Sequence, residues 1–163
     1  FESIYSYCDT ADTGDDYLCN IIFGVYNLEA YILDVIYTKE PMEVTERMVA
    51  EAIYKYRPIQ ARFEANHGAS AFPRAIGRIL LDEYNYNFTR IKYFYQRKNK
   101  KARILTHATW IMNHVYFPVN WRDRWPEYYR AMTTYQREGD NKHDDAPDAT
   151  TGVAETMFLL GAR

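Results

Sequence analysis

Up to about residue 38 the chain contains three runs that alternate or are rich in β-branched and aromatic residues, and nothing with helical spacing. Ser3 to Asp9 alternates and ends on an acid. Leu18–Tyr26 and Tyr31–Tyr37 flank Asn27-Leu28-Glu29-Ala30, a pattern that predicts two antiparallel strands joined by a short turn. Strands and helices alternate beyond this point. Pro41 opens a helix running to Tyr56, with Val44, Met48, Ala52 and Tyr56 on its inward stripe. A short strand, Ile59–Glu64, again ends on an acid, and Ser70–Tyr84 reads as a helix carrying Ile76, Ile79 and Leu80. Thr89–Tyr95 is a strand, Lys100–His114 a helix, and Phe117–Tyr135 loop and helix. Asp145 to Leu160 closes the series as a helix with Val153, Met157 and Leu160 buried. Three leading antiparallel strands followed by alternating elements predict an α/β fold, a mixed sheet flanked by helices.

The chain's 163 residues suit a single domain, residues 1–163, and 47% hydrophobic content suits a packed core. The start, FESIYSYCD, lacks the pattern of a signal peptide and enters a strand at once, as a fragment cut at a domain boundary would. No run reaches the roughly 18 apolar residues of a membrane span. Cys8 and Cys19 form no CxxC pair, the usage of a reduced intracellular protein. The absence of GxxxxGK[ST] excludes a phosphate loop for ATP, and no HExxH, Cys/His zinc spacing or GxSxG elbow occurs.

The net charge of −2 conceals a strong segregation. Residues 1–38 hold seven acids and no Lys or Arg, whereas residues 90–103 hold seven Lys or Arg and no acid. A local basic stripe is what tracks a polyanion, although either block alone also fits a solvated face. Within QRKNKKAR (96–103), Lys98, Lys100, Lys101 and Arg103 are the candidate phosphate contacts, assisted by amides at a helix N-terminus. Nothing in that run reads bases.

Three acids recur at equivalent places in distant segments: Asp9 ends the first strand, Glu64 ends the fourth, and Asp144-Asp145 begin the last helix. If the first and fourth strands are neighbours, their final side chains meet at one sheet edge, where a helix start can add a third carboxylate. Clustered carboxylates repel unless cations neutralise them, and hard oxygen ligands suit Mg²⁺ or Mn²⁺. Two such ions promote phosphodiester hydrolysis. Each acid also has an ordinary explanation: a solubilising loop for residues 9–16, pairing of Glu64 with Arg62 or Arg74, and a helix cap for Asp144 and Asp145.

Three strings carry a family resemblance. CDTADTGDDY (8–17) is similar to the strand–loop of viral terminase nucleases, RFEANHGA (62–69) to their Glu-x-Asn-x-Gly segment, and HDDAPDA (143–149) to their late His-Asp-Asp helix start. The order and separations fit from residue 3 to residue 160. The resemblance implies a ribonuclease H-like fold and the nuclease domain of a terminase large subunit whose ATPase domain is absent. It implies Asp9, Glu64 and Asp145 as catalytic carboxylates on two divalent ions, Asp16 as an accessory acid, and Asp148 as the rival for the third place. Asp144 would cap the helix or orient a water; His143 would either do the same or lie at the surface. The implied partners are double-stranded DNA, the ATPase domain, the small terminase subunit and the portal, at the procapsid in the host cytoplasm. Alternatives left open are another ribonuclease H-like nuclease, such as a resolvase or transposase core, and a non-catalytic module docking on DNA or portal.

Overall fold

A computed structural model of the chain describes residues 1–11, 16–65, 70–136, 139–141 and 143–163. Strands β1 (Ser3–Asp9), β2 (Leu18–Tyr26) and β3 (Glu29–Thr38) form the expected antiparallel meander, with Ser3 opposite Val25 and Leu18 opposite Thr38. The turn between β2 and β3 is two residues long, with Asn27 and Leu28 both left-handed at φ 51° and 58°. Such a turn matches the twist of a hairpin, and β3 therefore begins at Glu29, two residues earlier than expected. Helix α1 (Met42–Tyr56) then leads to β4 (Gln60–Glu64), and α2 (Ala71–Tyr84) to β5 (Arg90–Phe94), both strands parallel to β1. Helix α3 (Lys100–His114) is followed by β6 (Val115–Tyr116), α4 (Trp121–Arg124), α5 (Pro126–Thr134) and α6 (Asp145–Leu159). The sheet order is β5-β4-β1-β2-β3-β6.

Alternation along the strands splits the core into two halves. On one face Tyr5, Tyr7, Ile21 and Phe23 pack against Ala149, Val153 and Met157 of α6 and Tyr128 of α5. On the other, Cys8, Ala61 and Phe63 meet Val49 and Ile53 of α1 and Phe72, Ile76 and Leu80 of α2. β2 is buried on both faces from Leu18 to Val25, as a central strand covered on both sides requires. None of the described helices is long and apolar enough to cross a membrane.

Two local expectations are corrected and one element is added. The α1 stripe is Thr45, Val49, Ala52 and Ile53, with Val44 exposed. Thr45 can sit there because its hydroxyl donates to the Met42 carbonyl at 3.2 Å, which removes the cost of burying it. Leu160 is exposed rather than buried, because α6 ends at Leu159 and Gly161, at φ 108°, turns the chain away. β6 was not expected, since two residues cannot display an alternation.

Candidate metal centre

β1 and β4 run parallel, and their register sets Asp9 directly beside Glu64 at the C-terminal ends of both strands. Both side chains point to the α6 face, as Tyr7 does two residues earlier. The first turn of α6 lies over this edge and supplies Asp145 and Asp148. Of these, Asp148 completes the cluster: one carboxylate oxygen each from Asp9, Glu64 and Asp148 lie within 4.8 Å of one another. All three residues are buried, Asp148 completely. Asp9 Oδ2 and Asp148 Oδ2 have no hydrogen-bond partner among the described residues.

Around this trio stand groups that fix it. The Tyr7 hydroxyl donates to Glu64 Oε2 at 3.1 Å, and the Thr10 hydroxyl to the Glu64 carbonyl at 2.7 Å. Arg103, only 3% exposed, forms ion pairs with Asp148 and with Glu155. Lys100 Nζ lies 3.3 Å from Asp145 Oδ1, 3.4 Å from Asp144 Oδ1, 3.5 Å from Asp148 Oδ2 and 4.0 Å from Asp9 Oδ2. Asp145 also accepts a hydrogen bond from the Tyr17 amide at 3.0 Å.

Six carboxylates (Asp9, Glu64, Asp144, Asp145, Asp148 and Glu155) thus face two cations, and the excess registers in the acid strengths. Burial, reinforced by the charges of Asp148 and Glu64, holds the Asp9 carboxyl well above its ordinary range. Burial and then the Asp148 charge push Glu64 up to about 7, although Arg103, Tyr7 and Lys100 pull the other way. Asp145 is raised by burial but restrained by Lys100 and the Tyr17 amide. Burial opposes the charge on Lys100, and the surrounding aspartates override it and raise its affinity for a proton. Buried, convergent carboxylates, with Asp9 and Glu64 holding protons more tightly than usual and with oxygens that accept no hydrogen bond, are a donor set for a hard divalent cation.

The other sequence candidates lie as follows. Asp16 is half-buried outside the trio and lines a cavity of about 220 Å³ with Thr10 and Lys39. Asp144 occupies the N-cap position without capping by its side chain, which turns to Lys100 instead. His143 is half-buried and meets the Tyr17 ring edge-on. Lys98 is exposed, and Lys101 reaches the Gly139 carbonyl at 3.4 Å. Arg103 and Lys100 were expected on a DNA-facing surface; Arg103 is inside the protein and Lys100 stands among the acids, each beside the carboxylates that a cation withdrawn from water requires. The helix-start amides are partly taken, since Asn99 Oδ1 accepts from Ala102 N at 3.0 Å. Asp12, Gly14, Asp15, Lys142 and the Asn66-His67-Gly68-Ala69 part of the second motif lie outside the described residues.

Sequence reasoning passed over Tyr7 and Glu155. A signal for each was present: Tyr7 is two residues before Asp9 on the same strand face, and Glu155 is two helical turns after Asp148.

Topology and site together define a ribonuclease H-like fold with an acid cluster at the ends of the neighbouring parallel strands β1 and β4. No protein-family model matches the sequence, and no curated protein matches it. Among solved structures, the chain is similar to the human cytomegalovirus terminase nuclease domain soaked with Mn (13% identity, TM-score 0.65, 98% of this chain and 83% of that one). It is also similar to the nuclease domain of the large terminase of bacteriophage SPP1 with bound Mn (16%, TM-score 0.61, 96% and 87%). A third likeness is to the fowlpox virus Holliday junction resolvase (15%, TM-score 0.62, 96% and 99%). At these identities the likeness is one of fold.

Proposed function

We propose that the chain is a metal-dependent endonuclease that hydrolyses phosphodiester bonds of double-stranded DNA, residues 1–163 forming the nuclease domain of a viral terminase large subunit. The observation that carries this reading is the convergence of Asp9, Glu64 and Asp148 within 4.8 Å at the strand ends. The likeness to two terminase nuclease domains studied with Mn supports it. On this reading Asp9, Glu64 and Asp148 hold divalent cations, two of Mg²⁺ or Mn²⁺, with Asp145 beside them. Such cations supply Lewis acidity toward a phosphoryl oxygen and neutralise charge developing on the leaving oxygen.

The chain's own groups do the rest. Tyr7 fixes the rotamer of Glu64, which also helps to position the attacking water, and Arg103 fixes that of Asp148. Lys100 keeps a positive charge at the mouth of the cluster, where an entering phosphate would meet it. The packaging role, with an ATPase domain, small subunit and portal as partners at the procapsid in host cytoplasm, belongs to the same proposal.

A second reading is a junction resolvase, favoured because the fowlpox enzyme is matched over 99% of its own length. Incubating the protein with Mn²⁺ and linear duplex, plasmid, RNA–DNA hybrid or four-way junction separates the two. Cutting of linear and plasmid duplex supports the terminase reading, and paired nicks confined to the junction support the resolvase. With an intact fold, no cutting of any substrate by wild-type protein overturns both in favour of a non-catalytic docking module, and equal cutting by Asp9→Asn removes the acid centre as the site of cleavage.

A further inference from the structure

Behind Tyr7, on the side away from α5, lies a cavity of about 310 Å³. Its walls include Tyr7, Arg62, Phe94, Lys98, His107 and Phe158. Arg62 belongs to β4 two residues before Glu64, so it shares the sheet face of the acid cluster and stands beside Tyr7 of β1 and Lys92 of β5 in register.

The chemistry of this cavity is opposite to that of its neighbour. Arg62 is half-buried with its guanidinium over the Phe94 ring, 5.1 Å from the centroid. It makes no ion pair among the described residues; its one side-chain hydrogen bond there is a long one, 3.4 Å to Gln60 Oε1, and its Nε has no partner. His107 Nδ1 likewise has no partner, and its ring leans on Phe158 at 5.1 Å. Lys98 is exposed at the rim and its ammonium forms no ion pair among the described residues. The acid in the wall, Glu155, is already engaged by Arg103. A half-buried guanidinium without a carboxylate is costly unless an anion completes it. Among the described residues, no carboxylate is left free here for Arg62.

We propose that this cavity is a phosphate subsite, receiving a backbone phosphodiester of the DNA strand whose neighbouring linkage lies at Asp9, Glu64 and Asp148. Arg62 and Lys98 contact its oxygens, and the rings of Phe94 and Phe158 shield the contact from water. The inference rests on the nuclease reading of the acid centre. It moves the path of the DNA from the start of α3 to the groove between the β4–β5 edge and the α3–α6 pair. Tyr7 forms the partition: its ring lines the cavity, and its hydroxyl holds Glu64. Occupancy of the subsite therefore fixes where the strand lies relative to the acids without touching them.

The test is a salt titration of duplex binding by the whole chain in EDTA, read by fluorescence anisotropy. Wild type is compared with Lys98→Gln, with Arg62→Gln/Lys98→Gln, and with Arg78→Gln on α2, across the sheet. Each lost phosphate contact lowers the slope of log K against log salt by about 0.9, so the double variant should lose roughly 1.8 and the single variant half of that. Arg78→Gln should match wild type. Lys98 is exposed, so its variant tests the idea even if Arg62→Gln disturbs folding. Wild-type slopes in both variants overturn the subsite and leave the nuclease reading standing, provided that Asp9→Asn still abolishes cutting. Failure of the wild-type chain to bind or cut DNA overturns the nuclease reading and the subsite together.

Discussion

The ring of Tyr7 lies close against the backbone of Gly152: a Cβ built on that glycine would fall 2.1 Å from Tyr7 Cε1. The close approach lets α6 settle onto β1 and brings Asp148, one turn before the glycine, down to Asp9 and Glu64. Gly152→Ala should therefore destabilise the fold. Alanine gains up to about 1 kcal/mol of helix propensity, but overpacking a full core costs about 1–3 kcal/mol or more. Tyr7 is fully buried and cannot swing aside, so the second effect wins. Urea denaturation measures the outcome, and an equal or higher midpoint in the variant would refute the packing argument.

The two acids of the α6 start should separate under mutation. Asp148 is in the trio, whereas Asp145 holds Lys100 and the Tyr17 amide. Asp145→Asn should cost about 10–100-fold in cleavage, the usual effect of a group that orients a ligand rather than being one. Asp148→Asn should cost more than that and should also abolish metal binding. Rates are compared by single-turnover cleavage with Mn²⁺; identical losses in both variants would erase the distinction.

Divalent ions should stabilise the folded chain. A cation at 100 times its dissociation constant adds about 2.7 kcal/mol, or roughly 5–10 °C in midpoint for a domain of this size. The shift should be present in wild type and absent in Asp9→Asn/Asp148→Asn. Equal shifts in a calorimetric comparison would assign the ion to another site.

Without metal, acidity should stabilise the protein. Glu64 is raised from 4.5 to about 7 in the folded chain, and Asp9 is raised as well. Between those pH values the folded state keeps a proton that the unfolded state has released. The contribution of Glu64 is thus fully present below about pH 4.5 and lost as pH rises toward 7, on the order of 3 kcal/mol at most. In EDTA, the wild-type midpoint should fall between about pH 5 and about pH 7.5, and Glu64→Gln should flatten that fall. A slope unchanged by the substitution would show that other groups cause it.

Much of this was legible in the chain because the signals were local. An alternating run that stops on an acid marks Asp9 and Glu64, and the parallel pairing of β1 with β4 then needs only the order of elements. The choice between Asp145 and Asp148 was not legible. They stand one helical turn apart, and the one facing the sheet is decided by the rotation of α6, which the Gly152–Tyr7 contact sets. Arg103 was misplaced for a related reason. Seven basic residues within 90–103 read as a surface stripe that tracks phosphates, whereas the carboxylates that draw Arg103 inward, Asp148 and Glu155, lie 45 and 52 residues later. The α1 stripe failed because a threonine whose hydroxyl is satisfied by its own helix can serve as a core residue.

The acid trio draws one member each from the first strand, the fourth strand and the last helix. A nascent chain emerging from the ribosome therefore carries two of the three carboxylates long before the third is synthesised. Contacts spanning so much sequence form late, after the local hairpin and the helices have organised. On the nuclease reading, cleavage would thus be withheld from any partly made or partly folded chain, and competence at the centre would serve as the molecule's own record that its final helix has docked.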